Sequence, residues 1–312
     1  MTRIQDRWSS DSAEIKYFRA DEFPLRMRLL RWLGRQTWIP KGQHRLLYFV
    51  MAPEKAPDYP FEVDFFGKRY RGNLADYIDW MVFAYGSYAS SELALLKDAA
   101  DYLRQKRSAP IHFVDVGANS GHHTLFMAGI ADQTIAFEPF PGLVRAVKAK
   151  IALNNLANVK LIPVALGARS EVRDYFLGEG ANAGTGTFIA NEGERAATPI
   201  QLSIRRGDDV LAEEKLARLD LLKVDVEGFE PFVFEGLRQR ILADRPIILT
   251  EMTEKSYQHL GSEKAFRDLF YEGARFACVA GRSGHGYRLE PFQYGITFET
   301  VILPPEYAEF AG

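Results

Sequence analysis

Acidic side chains recur at a few places where they could do chemistry. Asp115 ends an apolar run, Ile111 to Val116, directly ahead of a glycine loop that reads Gly117-Ala118-Asn119-Ser120-Gly121. Glu138 follows in Phe137-Glu138-Pro139, Asp225 and Glu227 stand in VDVEGFE, and Glu251 stands in ILTEM. The first three features describe a grip on a nucleoside: a buried strand, then glycines that permit a tight turn and close backbone approach to a ligand. Glu138 lies about twenty residues past the loop, the interval at which a carboxylate ending the second strand can accept both ribose hydroxyls.

A dinucleotide is the obvious occupant of such a grip, but the loop departs from G-x-G-x-x-G. Asn119 replaces the middle glycine and His122 the last, and Asp115 puts an anion where a pyrophosphate would sit. The same acid suits an ammonium and a sulfonium. S-adenosylmethionine carries both, with a ribose for Glu138, and is therefore preferred to a nicotinamide cofactor.

Methyl transfer from a sulfonium is an in-line displacement, so the protein must align the acceptor and exclude water. A hydroxyl acceptor must also lose a proton. Asp225, Glu227 and Glu251 fall at strand ends, where they could act as general base, hydrogen-bond a polyol, or hold one Mg²⁺. Glu227 precedes Gly228, which lets the backbone approach a ligand, so it reads as functional; Glu230, beside Pro231, reads as a helix cap. His122 and His123 open the helix after the loop. Either could be a base, His123 being the one carried forward as a catalytic candidate, although packing is the commoner fate of such a histidine. His285, in GRSGHG, reads as surface.

These residues need a scaffold that brings strand ends together. From Ile111 onward, strand-like runs alternate with helical patterns, which predicts an α/β fold: a doubly wound, mostly parallel, seven-stranded Rossmann-like sheet. The strands are Ile111 to Val116, Thr134 to Phe137, Val159 to Val164, Leu221 to Val226, Ile247 to Thr250, Phe276 to Ala280 and Ile296 to Leu303, the last at the far edge. Helices are expected over Gly142 to Leu153, from near Pro231, and over Lys264 to Tyr271. Ligands of such sheets collect at the carboxyl ends of the strands, where Asp115, Glu138, Asp225 and Glu251 fall.

Two stretches stand outside the alternation. Residues 168–206 form an insertion with strand-like Val172 to Leu177 and Ile200 to Ile204 around Gly178, Gly180, Gly184 and Gly186, read equally as a surface hairpin or as a lid. Gly184-Thr185-Gly186 is no phosphate loop, lacking the Gly-Lys-Ser/Thr ending. The N-terminal extension, residues 1–107, precedes the catalytic domain of residues 108–312. Phe61 to Arg71 predicts a hairpin turning at Gly67-Lys68, and Ser91 can cap a helix running to about Arg104. Leu25, Leu29, Trp32 and Leu33 share a helical face, Arg28, Arg31 and Arg35 line another, and no acid occurs from Phe23 to Pro53. The apolar face is expected to dock on its own domain or on a dimer mate; peripheral contact of the basic 23–46 region with an anionic membrane is the other reading.

Composition narrows the setting. With 47% apolar residues in 312 and a formal charge of −2, the chain can bury a large core and shows no global attraction to nucleic acid. The single cysteine, Cys278, excludes an internal disulfide and a Cys-cluster metal site. Met1 to Glu14 is polar and unlike a signal peptide, and no apolar run is long enough to span a bilayer, so a cytoplasmic location is expected.

The residues also resemble a known family. DVGANSG at Asp115 to Gly121, FEPFP at Phe137 to Pro141, Asn154-Asn155, PVALG at Pro163 to Gly167, KVDVEGFE at Lys223 to Glu230 and RPIILTEM ending near Glu251 are similar to the FkbM-type S-adenosylmethionine-dependent methyltransferases. KVDVEGFE is the specific element; the glycine loop alone marks only the superfamily. The resemblance, from about Tyr88 to Glu251, implies an O-methyltransferase acting on hydroxyls of sugars, glycans or secondary metabolites. It also implies that Glu92 lies near the donor's methionine end. Gly117, Ala118, Asn119, Gly121, Phe137, Pro139, Ala165 and Asp225 complete the expected donor site with Asp115 and Glu138. The alternatives are a methyltransferase for RNA or protein and a non-catalytic cofactor-binding scaffold. A small-molecule or glycan acceptor is the expected partner, and an oligomer is compatible with the sequence.

Overall fold

A computed structural model describes residues 15–311, apart from 37, 39–41, 178–185, 191–197 and 283–285. His285 and the expected glycine-rich centre of the insertion, up to Thr185, lie outside the described residues. The N-terminal part holds helices α1 (Leu25–Gly34) and α2 (Gln43–Met51), strands β1 (Pro60–Phe65) and β2 (Lys68–Asn73), and helices α3 (Tyr77–Tyr85) and α4 (Ser90–Arg107). Then come β3 (His112–Val116), α5 (His122–Met127), β4 (Gln133–Phe137), α6 (Pro141–Leu153), β5 (Val159–Ile162), β6 (Ala165–Gly167), β7 (Glu171–Tyr175), β8 (Ile200–Arg206) and α7 (Gly207–Glu213). The chain continues with β9 (Leu221–Val224), α8 (Glu230–Gly236), α9 (Arg238–Asp244), β10 (Ile247–Met252), α10 (Glu254–Leu260), α11 (Glu263–Arg267), β11 (Arg275–Arg282), β12 (Gly286–Pro291) and β13 (Phe298–Leu303).

The main sheet has eight strands in the order β12-β11-β13-β10-β9-β3-β4-β5, parallel from β5 to β10. β13 runs antiparallel between β10 and β11, so the Ile296 to Leu303 segment expected at the edge lies inside the sheet. The edge is β12, which the sequence reading passed over. Its only strand signal is the alternation of Tyr287 and Leu289, both packed on the core, among polar neighbours.

Apart from Asp115 and Lys223, the central strands are largely apolar because both faces are covered. Phe113 and Leu221 enter one core with Leu95, Leu96, Leu103 and Leu125, while Val114 and Leu222, their immediate successors, enter a second with Val233, Phe234 and Ile241. The period of two in a strand sends neighbouring residues to opposite faces. The first core also takes in Leu30, Leu47, Phe61, Tyr70, Trp80 and Phe83, so the N-terminal elements cover one face of the sheet.

That cover is tied to the glycine loop by a buried polar network. Tyr70 donates to Asp79 Oδ1 at 2.6 Å, its hydroxyl lies 3.2 Å from Ser120 Oγ, and Lys150 Nζ donates to the Ser120 carbonyl at 2.7 Å. The β1–β2 hairpin turns at Phe66-Gly67, one residue before the expected position, both residues having positive φ as the two-residue turn requires. α4 begins at Ser90 after Ala89 in the left-handed region, with no side-chain cap; Ser91 therefore lies inside the helix rather than capping it. α11 closes at Arg267, short of the expected Tyr271. Among the described residues, no helix is long and apolar enough to cross a membrane.

Candidate active site

From β3 the chain winds outward through β4 and β5, then returns to β9 on the other side of β3. The crevice at this reversal is where a doubly wound sheet places its ligand. Val116 pairs with Phe137 on one side and Val224 on the other, so the three strands end level. Just beyond them, Gly117 has φ +84°, and a Cβ there would sit 1.9 Å from the Asp225 carbonyl oxygen. Only glycine lets the two strand ends approach this closely.

Gly117, Asn119, Phe137, Glu138, Pro139, Ala165, Asp225 and Glu227, all expected to serve the site, line one cleft with Val116, Val164, Tyr175, Gly186, Phe188 and Phe229. Ala118 and Gly121 shape the loop behind it. Gly117 N–H and Ala118 N–H both donate to the Phe137 carbonyl at 3.0 Å, and Gly121, at φ +80°, precedes α5. The Glu138 carboxylate is clamped by backbone: Asn119 N–H donates to Oε2 at 2.9 Å and Phe140 N–H to Oε1 at 2.8 Å. Burial pushes this carboxyl up to about 7, against those two bonds.

Behind the loop, several acids gather around Lys223. Lys223 Nζ is 3.0 Å from Asp225 Oδ2. Burial disfavours its charge, but Asp225, Asp115, Glu92 and Glu299 outweigh that and hold the ammonium well above its ordinary range. Asp115 is fully buried. Thr124 Oγ1 donates to its Oδ2 at 2.6 Å, and among the described residues nothing donates to its Oδ1. Burial, together with Asp225 and Glu92, raises its pKa despite Lys223 and Thr124.

Glu92, on the first turn of α4, is buried beside this group and lifted to about 7 by burial and Asp225, with Lys223 opposing. Its Oε2 lies 3.1 Å from His123 Nε2, but the geometry is not that of a hydrogen bond, and the nitrogen counts as unpaired. Burial and then Lys223 depress the His123 pKa well below its usual value, leaving a neutral ring. His122, also buried and neutral, packs edge-on against Tyr88, and among the described residues neither of its ring nitrogens has a hydrogen-bond partner.

Glu227 sits in the turn after β9 with φ +54°, a strained value for a non-glycine residue, followed by Gly228 at +98°. Glu230 holds that turn. Its Oε1 accepts from Val226 N–H at 2.9 Å and Gly228 N–H at 3.2 Å, and Ser256 Oγ donates to its Oε2. Glu230 stands in the first turn of α8 as expected, but its carboxylate braces the preceding turn rather than capping the helix. Burial and the carboxylates of Asp225, Glu251 and Glu230 push Glu227 up to about 8. Glu251 is raised to about 7 by burial and Asp225.

Several residues escaped the sequence reading. Glu299 faces Glu251 across the β10–β13 ladder, a like-charge pairing that costs stability, and burial with Glu92 and Asp225 raises it well above the usual range. Burial, then Asp225, Glu92 and Glu251, hold the Tyr88 phenol far above its ordinary value, so it is a neutral donor among acids. Lys223 was visible in KVDVEGFE as an unexplained charge within an apolar strand. Tyr175 and Phe188 come from the insertion, and only the fold could bring them here.

Among the described residues, no three His, Cys, Asp or Glu side chains are grouped so as to hold a metal ion. Asp225, Glu227 and Glu251, suggested as Mg²⁺ ligands, are therefore neighbours without being a ready-made metal site.

The sequence matches the description "Methyltransferase FkbM domain" over residues 115–289, more than half of the chain. The chain belongs to the FkbM methyltransferase family. A 305-residue stretch is 26% identical to the AMB antimetabolite synthetase AmbE of Pseudomonas aeruginosa, covering 80% of this chain and 14% of that protein. Methyltransferase sdnD of Sordaria araneosa is 32% identical over 153 residues, 40% of this chain and 59% of its own length. The chain thus spans only part of each of these relatives. Among solved structures, the FkbM methyltransferase of Methylobacillus flagellatus aligns over 89% of this chain and 58% of its own, with 10% identity and a TM-score of 0.42. The β3–β4–β9 crevice is the candidate donor site of this FkbM methyltransferase.

The residues fit S-adenosylmethionine. Acids in excess over Lys223 suit its cationic end, the free Oδ1 of Asp115 waits for a donor, Glu138 stands at the β4 end, and Val164, Ala165 and Phe188 offer apolar walls to a base.

Proposed function

We propose that this protein methylates a hydroxyl oxygen of a small-molecule acceptor, a sugar, glycan or glycosylated secondary metabolite, with S-adenosylmethionine as donor. The observation that carries this reading is Glu227, a strained carboxylate on the rim of the donor cleft whose pKa of about 8 matches the task of a base near neutral pH. S-adenosylmethionine supplies an electrophilic methyl group and a neutral thioether leaving group.

Glu138 receives the ribose, and Asp115 with Glu92 and Asp225 stabilises the cationic end, at the cost of their mutual repulsion. Glu227 would take the acceptor's hydroxyl proton onto a carboxylate oxygen as the acceptor oxygen gains the methyl group and the thioether leaves. Glu251 and Glu299 present further acceptors for a polyol, and Tyr88 presents a neutral donor. His123, neutral and buried beside Glu92, fills space behind that carboxylate rather than serving as base.

The insertion acts as a lid. The cleft between Tyr175, Gly186, Phe188 and Phe229 has a volume of about 50 Å³, against the roughly 300–1,000 Å³ of small-molecule sites, so its roof must lift to admit the donor. The likeness of 80% of the chain to part of an antimetabolite synthetase favours a secondary metabolite over a cell-surface glycan as acceptor. The test is formation of S-adenosylhomocysteine against panels of glycosides and secondary metabolites, with the methylated atom assigned by NMR. Methyl groups found on nitrogen would replace the hydroxyl reading with an amine, which the same excess of acids would attract. Donor binding without turnover on any panel would leave a scaffold.

A further inference from the structure

Of the helical face expected to dock on its own domain or on a dimer mate, Leu33 packs against the core and the rest does not. In α1 the buried residues are Met27, Leu30 and Gly34, with Gly34 so tight that a Cβ would meet the Ala84 carbonyl oxygen at 2.2 Å. Leu25, Leu29 and Trp32, at the i, i+4 and i+7 positions, point the opposite way and are 83%, 44% and 54% exposed. The neighbouring α2 repeats the pattern. Leu47 and Met51 are buried, whereas Leu46 and Phe49 are 45% and 91% exposed, and Trp38 between the helices is 69% exposed.

Arginines dominate the charge of this surface, with Asp64 of β1 near Arg31 and Arg35. Arg26, Arg28, Arg31, Arg35 and Arg45 lie on or beside the two helices, and no Asp or Glu occurs between Phe23 and Pro53. Arg26, Arg28 and Arg31 donate to backbone carbonyls, those of Val50, Phe23 and Asp21, and Phe83 respectively. A carbonyl orients a guanidinium but does not neutralise it, so the positive charge remains.

We propose that the outward face of α1 and α2 is a docking surface for an anionic phospholipid bilayer. Its apolar side chains project singly from two helices, which suits a deformable apolar phase better than a rigid partner that would need matching pockets. Trp, Leu and Phe entering the acyl boundary with arginines at headgroup level is how an interfacial helix binds. A second copy would bring the same cations against each other, so the charge argues for lipid over self-association.

The test uses the full chain with sedimenting vesicles of phosphatidylcholine alone and of phosphatidylcholine with about one-third phosphatidylglycerol. Binding is expected only to the anionic vesicles, with a blue shift of tryptophan emission. Leu25→Ser with Phe49→Ser should lower the partition coefficient at least tenfold, and Arg45→Glu should lower it several-fold, with the thermal melt and donor binding unchanged. No binding to anionic vesicles at low salt overturns the proposal. So does binding that Leu25→Ser with Phe49→Ser leaves intact, which would be plain electrostatic adsorption. A concentration-dependent dimer abolished by the same pair would assign the face to a second copy instead.

Discussion

Thr187 Oγ1 donates a hydrogen bond to the Glu227 carbonyl oxygen at 2.9 Å. The bond joins the returning arm of the insertion, whose Thr187 pairs antiparallel with Phe176, to the turn that carries the proposed base. Lid position and base position are thereby linked through one contact.

Thr187→Val keeps the shape and removes that bond, a loss of about 0.5–1.5 kcal/mol. Donor dissociation should quicken roughly three- to tenfold by that arithmetic, read by stopped-flow displacement. An unchanged off-rate would show that the lid does not close through Glu227.

Glu227→Gln should lower kcat by about 10²–10⁴-fold, the range for loss of a general base, while calorimetry finds donor affinity nearly unchanged. Asp225→Asn, which removes the partner of Lys223, should instead weaken donor binding. The reverse pattern would move the base to Asp225.

Stability should fall as pH rises from about 6.5 to 8.5. Glu92, Glu138 and Glu251 have native pKa values raised to about 7 and Glu227 to about 8, so the native state holds protons that the unfolded chain has lost. The stability tied to those protons disappears as pH passes through the native values. Buried neutral His122 and His123 work the other way, but only below their unfolded pKa of about 6.5. A melting-temperature drop of a few degrees across this window is expected. The cationic donor should bind more tightly at its upper end, and a donor affinity that weakens with rising pH would contradict the assignment of these acids.

Gly117→Ala should abolish donor binding and destabilise the fold by about 3 kcal/mol or more, because the methyl group meets the Asp225 carbonyl and the residue holds positive φ. Thermal melts and calorimetry read both effects.

Much of this was legible in the residues themselves. The β3, β4, β9 and β10 runs are apolar because both faces of a parallel sheet are covered, and that local pattern survives in any such fold. The glycine loop, Glu138 and KVDVEGFE are local too, since a tight turn and a strand-end acid are specified by neighbours in sequence. β12 was less legible, its Tyr287 and Leu289 alternating weakly among polar residues.

By itself, then, the sequence determined the parallel core, the donor loop and the acids at the strand ends, and through them the family. Only the tertiary structure decided that Glu251 faces Glu299, that Lys223 gathers the acids and that His122 is walled in. It also decided that Tyr175 and Phe188 roof the cleft and that Leu25, Trp32 and Phe49 face outward. Periodicity shows that a helix has an apolar face, but which face is buried depends on what packs against it. Likewise a pKa depends on groups far apart in the chain, and those meet only when the sheet is assembled.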